Sequence, residues 1–318
     1  MDSAQRQHSR AVRTVVVPAA GLGTRFLPVT KMVPKELLPV VDTPGIELIA
    51  QEAAQLGAER LAIVTSPTKH SVEQYFERAE GLEETLKGRG KEEQLRKITR
   101  APELIDAVAV VQEEPLGLGH AVGVAEQVLD DDEDCVGVML PDDLVLPYGV
   151  LEKMAAVRER LGGSVLCAFP VPDEAVSSYG VFAVDDCDKS VSKAAGAEVK
   201  KVTGMVEKPA LKDAPSKLAA AGRYLLDRDI FDALKRITPG KGGELQLTDA
   251  VELLIDEGHP VHVVVHEGKR HDLGNPAGFI KACVDFGLGD PDYGEHLEEE
   301  IQALLDEHRS GRSGGGRP

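Results

Sequence analysis

The run Val15-Val16-Val17-Pro18-Ala19-Ala20-Gly21-Leu22-Gly23-Thr24-Arg25 constrains this chain more than any other stretch. Three β-branched residues favour a short strand, and Pro18 followed by small residues ends it. Gly21 and Gly23 lack Cβ atoms, so backbone N–H groups can approach an anion closely and the chain can take φ > 0. Successive N–H groups of this kind form an anion-binding nest. Arg25 adds a full positive charge, and so does Lys35 in the following run Pro34-Lys35-Glu36-Leu37-Leu38-Pro39-Val40. The expectation is a polyphosphate site near the start of the chain.

Two commoner phosphate loops do not fit. A Walker A loop needs Gly-x4-Gly-Lys-Ser/Thr, which does not occur here. The dinucleotide fingerprint needs a third glycine where Phe26 stands. That glycine lets helix and strand pack closely, and Phe cannot replace it. An oxidoreductase with a Rossmann domain is therefore disfavoured.

Charge sharpens the point. Asp and Glu number 54 against 36 Lys and Arg, a net charge of −18. Such a chain is a poor general partner for nucleic acid or a membrane surface. Its overall field also repels anionic substrates, so an anion site needs its own cations. No run of apolar residues is long enough to span a bilayer, and the polar first residues do not read as a signal peptide. Cys135, Cys167, Cys187 and Cys283 are scattered, without a Cys-x-x-Cys pair. They read as reduced thiols of a cytoplasmic protein, with no zinc site expected.

Strand-like and helix-like segments alternate, which predicts an α/β fold with a mainly parallel twisted sheet flanked by helices. Strands are expected at Thr14–Pro18, Arg60–Thr65, Ala107–Gln112, Cys135–Leu140 and Ser164–Val171. Helices are expected at Glu47–Gly57, Ser71–Glu77 and His120–Leu129. Further on, Tyr179–Val184 and Val202–Glu207 read as strands around the polar insertion Asp185–Lys201, a hairpin or small lobe over the sheet. Residues 1–12 read as a flexible N-terminus and 13–288 as one domain, with halves of about 13–170 and 171–288. Leu297, Ile301, Leu304 and Leu305 line one face of an acidic amphipathic helix within 289–309. That face either packs on its own domain or meets another subunit. The tail 310–318 reads as disordered.

Other runs carry chemistry. The strand before Pro141-Asp142-Asp143 is apolar, so both acids fall at a strand's carboxyl end, on the edge where ligands sit in open parallel sheets. A carboxylate beside a polyphosphate usually serves Mg²⁺, a hard ion that prefers oxygen. In Gln112-Glu113-Glu114-Pro115-Leu116-Gly117-Leu118-Gly119-His120, the Gln112 amide offers a donor and an acceptor to a base. His120 reads as a helix-start histidine satisfied by backbone. Glu207-Lys208-Pro209 ends a strand with one acceptor and one cation.

In this order, the runs resemble the signature of nucleotidyltransferases that activate sugar 1-phosphates. Their wording is similar to that of the bacterial UTP–glucose-1-phosphate uridylyltransferases, over roughly residues 13–288. The resemblance implies a nucleotide-diphospho-sugar transferase fold with a smaller sugar-binding lobe in the second half. It implies UTP and glucose 1-phosphate as substrates, UDP-glucose and pyrophosphate as products, and Mg²⁺ as cofactor. Ala20, Gly21, Gly23, Thr24 and Glu36 would bind nucleotide, and Gln112 with Gly117 would hold uracil. Arg25 and Lys35 would neutralise phosphate charge. Asp142 would hold the metal, with Asp143 a lesser candidate, and Asp272 of Arg270-His271-Asp272-Leu273-Gly274 would be the second ligand. His271 and Leu273 depart from the family's usual neighbours, and His271 reads as a pocket wall. Gly180 after Tyr179 would approach the hexose, Glu207 its hydroxyls and Lys208 its phosphate. Thr248 or Asp249 in Gly243-Glu244-Leu245-Gln246-Leu247-Thr248-Asp249 could cap a helix. A homodimer or homotetramer is expected. Thymine offers the same hydrogen-bonding edge as uracil, so a dTTP-using or other sugar-1-phosphate transferase stays open, as does a non-catalytic nucleotide-sugar-binding paralogue.

Overall fold

Val15, Val16 and Val17 are wholly buried in the middle of a nine-stranded sheet. The computed structural model describes residues 12–312. In chain order its strands are β1 Thr14–Pro18, β2 Pro39–Val40, β3 Thr43–Pro44, β4 Arg60–Thr65, β5 Asp106–Val111, β6 Cys135–Met139, β7 Asp143–Leu146, β8 Ser164–Pro170, β9 Gly180–Asp186, β10 Val199–Glu207, β11 Leu218–Asp227, β12 Val261–Val265 and β13 Lys269–Asp272. Its helices are α1 Gly45–Gln55, α2 Ser71–Gln74, α3 Glu80–Gly88, α4 Glu92–Leu104, α5 Leu118–Val124, α6 Val150–Leu161, α7 Lys189–Ala195, α8 Ile230–Arg236, α9 Leu247–Asp256, α10 Pro276–Leu288 and α11 Gly294–Arg312.

The sheet order is β5-β4-β1-β6-β11-β8-β12-β10-β9. The β5, β4, β1 and β6 pairings are parallel, as expected for strands joined through helices. Only β10 and β11 run against the other seven. The α/β sheet flanked by helices is thus as expected. Side chains alternate across it. Val15 and Val17 pack with Ile46 and Ile49 of α1 and Met154 of α6, while Val16 packs with Val122 of α5 and Leu234 of α8. Apolar layers therefore cover both faces.

Three details differ from expectation. β9 and β10 form the expected hairpin as the sheet's antiparallel edge, not a lobe over it, and the polar insertion between them carries a helix, α7, capped by Asp188 through Ser190 N. The short antiparallel pair β7–β13 was not foreseen, and it sets Asp143 opposite Asp272. Leu82–Arg100 is not one helix and an excursion, but α3 and α4 broken at Gly88–Gly90. α11 leaves Leu304 64% and Leu305 44% exposed. Most of the segments expected at 1–12 and 310–318 lies outside the described residues. Among those described, no helix is long and apolar enough to cross a membrane.

Candidate active site

β1 delivers its carboxyl end to a loop held in three ways. Ala19 N donates to Val64 O of β4 at 2.7 Å, continuing the ladder past the strand. Gly23 takes φ 63° as the loop tightens into a single helical turn over Thr24–Phe26. Thr30 Oγ1 then donates to Gly23 O at 2.8 Å. Gly23 is favoured by its positive φ, and a Cβ there would also be tight, 3.2 Å from Lys35 Cβ and Thr30 Cγ2. Gly21 and Thr24 are exposed, and Ala20 is 8% exposed. Phe26 meets Phe279 of α10 edge-on at 5.7 Å. An aromatic therefore fills the place of a dinucleotide loop's third glycine.

The third hold is Lys69, which the sequence did not flag. Its Nζ donates to Ala19 O at 2.8 Å, to Gly21 O, and to Glu36 Oε2 at 3.1 Å. All three ammonium protons are thus used within the chain. Burial lowers the Lys69 ammonium from its ordinary value, against the pull of Glu36. Glu36 is 2% exposed, and burial raises its carboxyl although Lys69 and Lys35 pull it down. Glu36 thus faces the loop's cations from beneath.

Two cations remain above the loop. Arg25 Nη1 donates to Gly274 O at 3.2 Å, reaching the turn after β13. Lys35 Nζ pairs with Asp142 Oδ2. Burial opposes the Lys35 charge, but Asp142 and Glu36 outweigh it and raise the ammonium's pKa.

Asp142 and Asp272 converge. A Cβ on Gly274 would come 2.9 Å from Asp272 Oδ1 and 3.1 Å from Asp142 Oδ2. Asp272 is fixed by Gly274 N at 2.7 Å and Asn275 Nδ2 at 2.9 Å, while Leu273 N donates to Asp142 O at 2.7 Å. Two carboxylates facing each other across a glycine, open to solvent on one side, suit a hard divalent cation that also takes phosphate and water oxygens.

Asp143 does something else. It is 2% exposed, pairs with Arg270 Nε at 2.6 Å and accepts from Gly222 N at 2.7 Å. Its carboxylate is turned into the protein, away from the Asp142 side. Arg270 also donates to Tyr179 OH at 3.0 Å and stacks on Phe169 at 4.5 Å. His271, expected as a pocket wall, is 3% exposed and reaches Asp285 of α10 at 2.9 Å. Strand alternation explains His271, which points to the face opposite its neighbours Arg270 and Asp272 in β13.

Beside this edge lies a cleft of about 310 Å³ lined by Tyr179, Gly180, Glu207, Lys208, Thr248 and Arg270, among others. A Cβ on Gly180 would meet Met205 Cε at 2.9 Å and Glu207 Oε2 at 3.2 Å. Glu207 pairs with Lys208 Nζ at 2.7 Å. Thr248 does not cap α9; its Oγ1 donates to Glu207 Oε2 at 3.3 Å. Lys208 has φ 46°, uncommon for a side-chain-bearing residue, and its N–H donates to Tyr179 O at 3.0 Å.

Gln112 is 4% exposed at the end of β5, where its N–H donates to Thr65 O. Gly117 has φ 103°, and a Cβ there would fall 2.8 Å from Glu244 Cβ and Leu245 O. Leu245 N donates to Leu116 O, and Gly119 N to Leu245 O. The Gly243–Asp249 run therefore ties the Gln112 loop to the cleft around Glu207. His120 is not satisfied by backbone; its Nδ1 lies 2.8 Å from Gln112 Nε2.

Comparison with known proteins gives the family. A nucleotidyl transferase family model matches residues 14–286. A UTP–glucose-1-phosphate uridylyltransferase of Bacillus subtilis, YngB, is 40% identical over 297 residues, covering 93% of this chain and 96% of its own. A UTP-bound structure from Acinetobacter baumannii, described as a UGPase, superposes with a TM-score of 0.82 at 36% identity, over 92% of this chain and 99% of its own. A UDP-glucose pyrophosphorylase complexed with UDP-glucose gives 0.75 at 35% identity, over 88% of this chain and 100% of its own. The chain belongs to the nucleotidyl transferase family, among the UTP–glucose-1-phosphate uridylyltransferases.

Proposed function

We propose that this chain transfers a uridylyl group from UTP to α-D-glucose 1-phosphate, giving UDP-glucose and pyrophosphate. The observation that carries the reading is the meeting of the Arg25 and Lys35 cations with Asp142 and Asp272 around Gly274, beside the Glu207–Lys208 cleft. A phosphate oxygen of the sugar phosphate attacks the α-phosphorus, and pyrophosphate leaves in line. A phosphate monoester is largely dianionic at neutral pH, with a second pKa of about 6. It needs no general base. The obstacle is repulsion between anions, about 4 kcal/mol for two unit charges at 4 Å and an effective dielectric of 20.

Positioning and charge neutralisation therefore carry the rate. Ala20, Gly21, Gly23 and Thr24 receive the nucleotide phosphates, with Glu36 and Lys69 bracing the loop. Arg25 stabilises charge on the leaving pyrophosphate, and Lys35 neutralises oxygens near the reacting phosphorus. Gln112 and Gly117 hold the base. Gly180 and Glu207 meet the hexose, and Lys208 its phosphate. Asp142 and Asp272 would hold Mg²⁺, which supplies Lewis-acid neutralisation of the phosphate oxygens.

The exposed Leu304 and Leu305 of α11 support a homodimer or homotetramer. The four free cysteines fit a reducing, cytoplasmic setting. Pyrophosphate release measured across UTP, dTTP, CTP and ATP, with several sugar 1-phosphates and with or without Mg²⁺, tests the reading. Preference for dTTP, or no release with any pair, would overturn it.

A further inference from the structure

We infer that His120 is a positioning residue that holds the Gln112 amide in the orientation Gly117 O selects, and so makes the site select uracil over cytosine. The inference rests on the reading that Gln112 faces the base. The amide's orientation follows from its surroundings. Gly117 O lies 3.4 Å from the amide nitrogen, and a carbonyl oxygen accepts only from a donor. Turning the amide over would set Gln112 Oε1 against Gly117 O, oxygen to oxygen. With Nε2 on that side, the His120 ring nitrogen 2.8 Å from it must accept. Nδ1 is therefore the unprotonated nitrogen, and the proton of the neutral ring sits on Nε2.

Both amide protons are then used inside the chain. Oε1 makes no hydrogen bond among the described residues, so an acceptor is what the buried Gln112 side chain presents to a ligand. Uracil has a donor, N3–H, on its pairing edge. Cytosine has a lone pair on N3, which would oppose Oε1. A freely rotating amide could serve either base. Gly117 O contacts the amide from one side at long range, whereas His120 is the shorter and better-placed partner. α5 holds His120 in register, because Gly119 N is anchored to Leu245 O and leaves no room for a Cβ at position 119. The recognition amide is thus braced from the start of α5, by Gly117 O and His120 Nδ1.

The test compares kcat/KM for UTP and CTP in the full chain with glucose 1-phosphate and Mg²⁺. The variants are His120→Leu, His120→Ala, His120→Asn and Gln112→Leu, and UTP and CTP binding is measured by calorimetry alongside. Asn places Oδ1 near the position of Nδ1 and keeps an acceptor, so His120→Asn should retain the UTP-to-CTP ratio. His120→Leu and His120→Ala should lower that ratio by about tenfold or more, because the amide can now turn. Gln112→Leu should abolish it. Equal losses for both nucleotides in the Leu and Ala variants, with the ratio kept, would overturn the role of His120. A ratio unchanged by Gln112→Leu would instead overturn the reading of Gln112 itself.

Discussion

Lys35 and Asp142 form an ion pair at the mouth of the site, with side chains 18% and 31% exposed. A cation proposed for phosphate and a carboxylate proposed for a metal neutralise each other before either substrate arrives. In a chain of net charge −18 this keeps an unpaired carboxylate from repelling the incoming triphosphate. On the proposed roles, binding exchanges the pair: Lys35 goes to a phosphate oxygen and frees Asp142. Asp142→Asn keeps the shape and removes the charge. Its Mg²⁺-dependent pyrophosphate release should fall by roughly 100- to 1,000-fold, as expected when several kcal/mol of charge stabilisation are lost. Near-normal kinetics across a Mg²⁺ titration would show that another carboxylate holds the metal.

Lys208 sits in the left-handed region, which costs about 1–3 kcal/mol for a residue with a side chain. Its neighbours impose that conformation: Tyr179 O takes its N–H, Glu207 takes its Nζ, and Pro209 follows. Lys208→Gly should therefore fold at least as stably as the parent by urea denaturation. Its KM for glucose 1-phosphate should nevertheless rise roughly 10- to 100-fold, the loss of one charge-assisted hydrogen bond. UTP affinity should stay within about twofold, since no nucleotide contact is assigned to it. Equal losses for both substrates would remove Lys208 from the sugar-phosphate site.

Arg223 and Glu52 test the core beneath the site. Arg223 is wholly buried, and its Nε and Nη2 both reach the Glu52 carboxylate, at 3.0 and 2.7 Å. The pair joins α1 to β11 next to Gly222, whose N–H holds Asp143. Breaking such a pair leaves a buried charge without a partner, whereas replacing both members with apolar residues can be nearly neutral. Arg223→Met should lose about 3–5 kcal/mol by denaturant titration. Glu52→Leu added to it should restore most of that loss. A double variant no more stable than the single one would mean the pair is held by more than its charge.

Legibility in the sequence followed locality. β1 and β4 could be bounded to the residue, because β-branched runs end at Pro18 and in the polar turn after Thr65. The glycine loop and its two cations lie within one short stretch, so their chemistry was visible too. Asp142 and Asp143 were not separable. Adjacent residues on a chain look alike until the pairing of β7 with β13 buries Asp143 on Arg270 and leaves Asp142, just before the strand, to Lys35. β7 and β13 are themselves short and partly charged, and carry no strong periodicity. His120 near Gln112 was noticed, but its side-chain partner required the turn geometry at Gly117. Lys69 left no signal at all, since its acceptors Ala19 and Gly21 lie 50 and 48 residues away.

Lys69 yields the last prediction. Each of its protons is spent on the loop or on Glu36, so it has none to offer a phosphate. Its effect is to tie the Ala19 and Gly21 carbonyls to one ammonium beneath the loop. Lys69→Met keeps most of the packing volume and removes every donor. The loop then loses its brace, and Glu36 keeps only Lys35 as a neighbouring cation. KM for UTP should rise about tenfold, the loss of one well-placed charged hydrogen-bond donor. KM for glucose 1-phosphate should change little, because the Glu207–Lys208 cleft is built from other strands. Lys69→Arg should recover part of the UTP affinity if the ammonium's reach to the two carbonyls is what matters. Pyrophosphate release under saturating glucose 1-phosphate, with UTP varied, reads the split. A Lys69→Met protein with unchanged UTP dependence would show that the glycine loop holds its shape without that side chain.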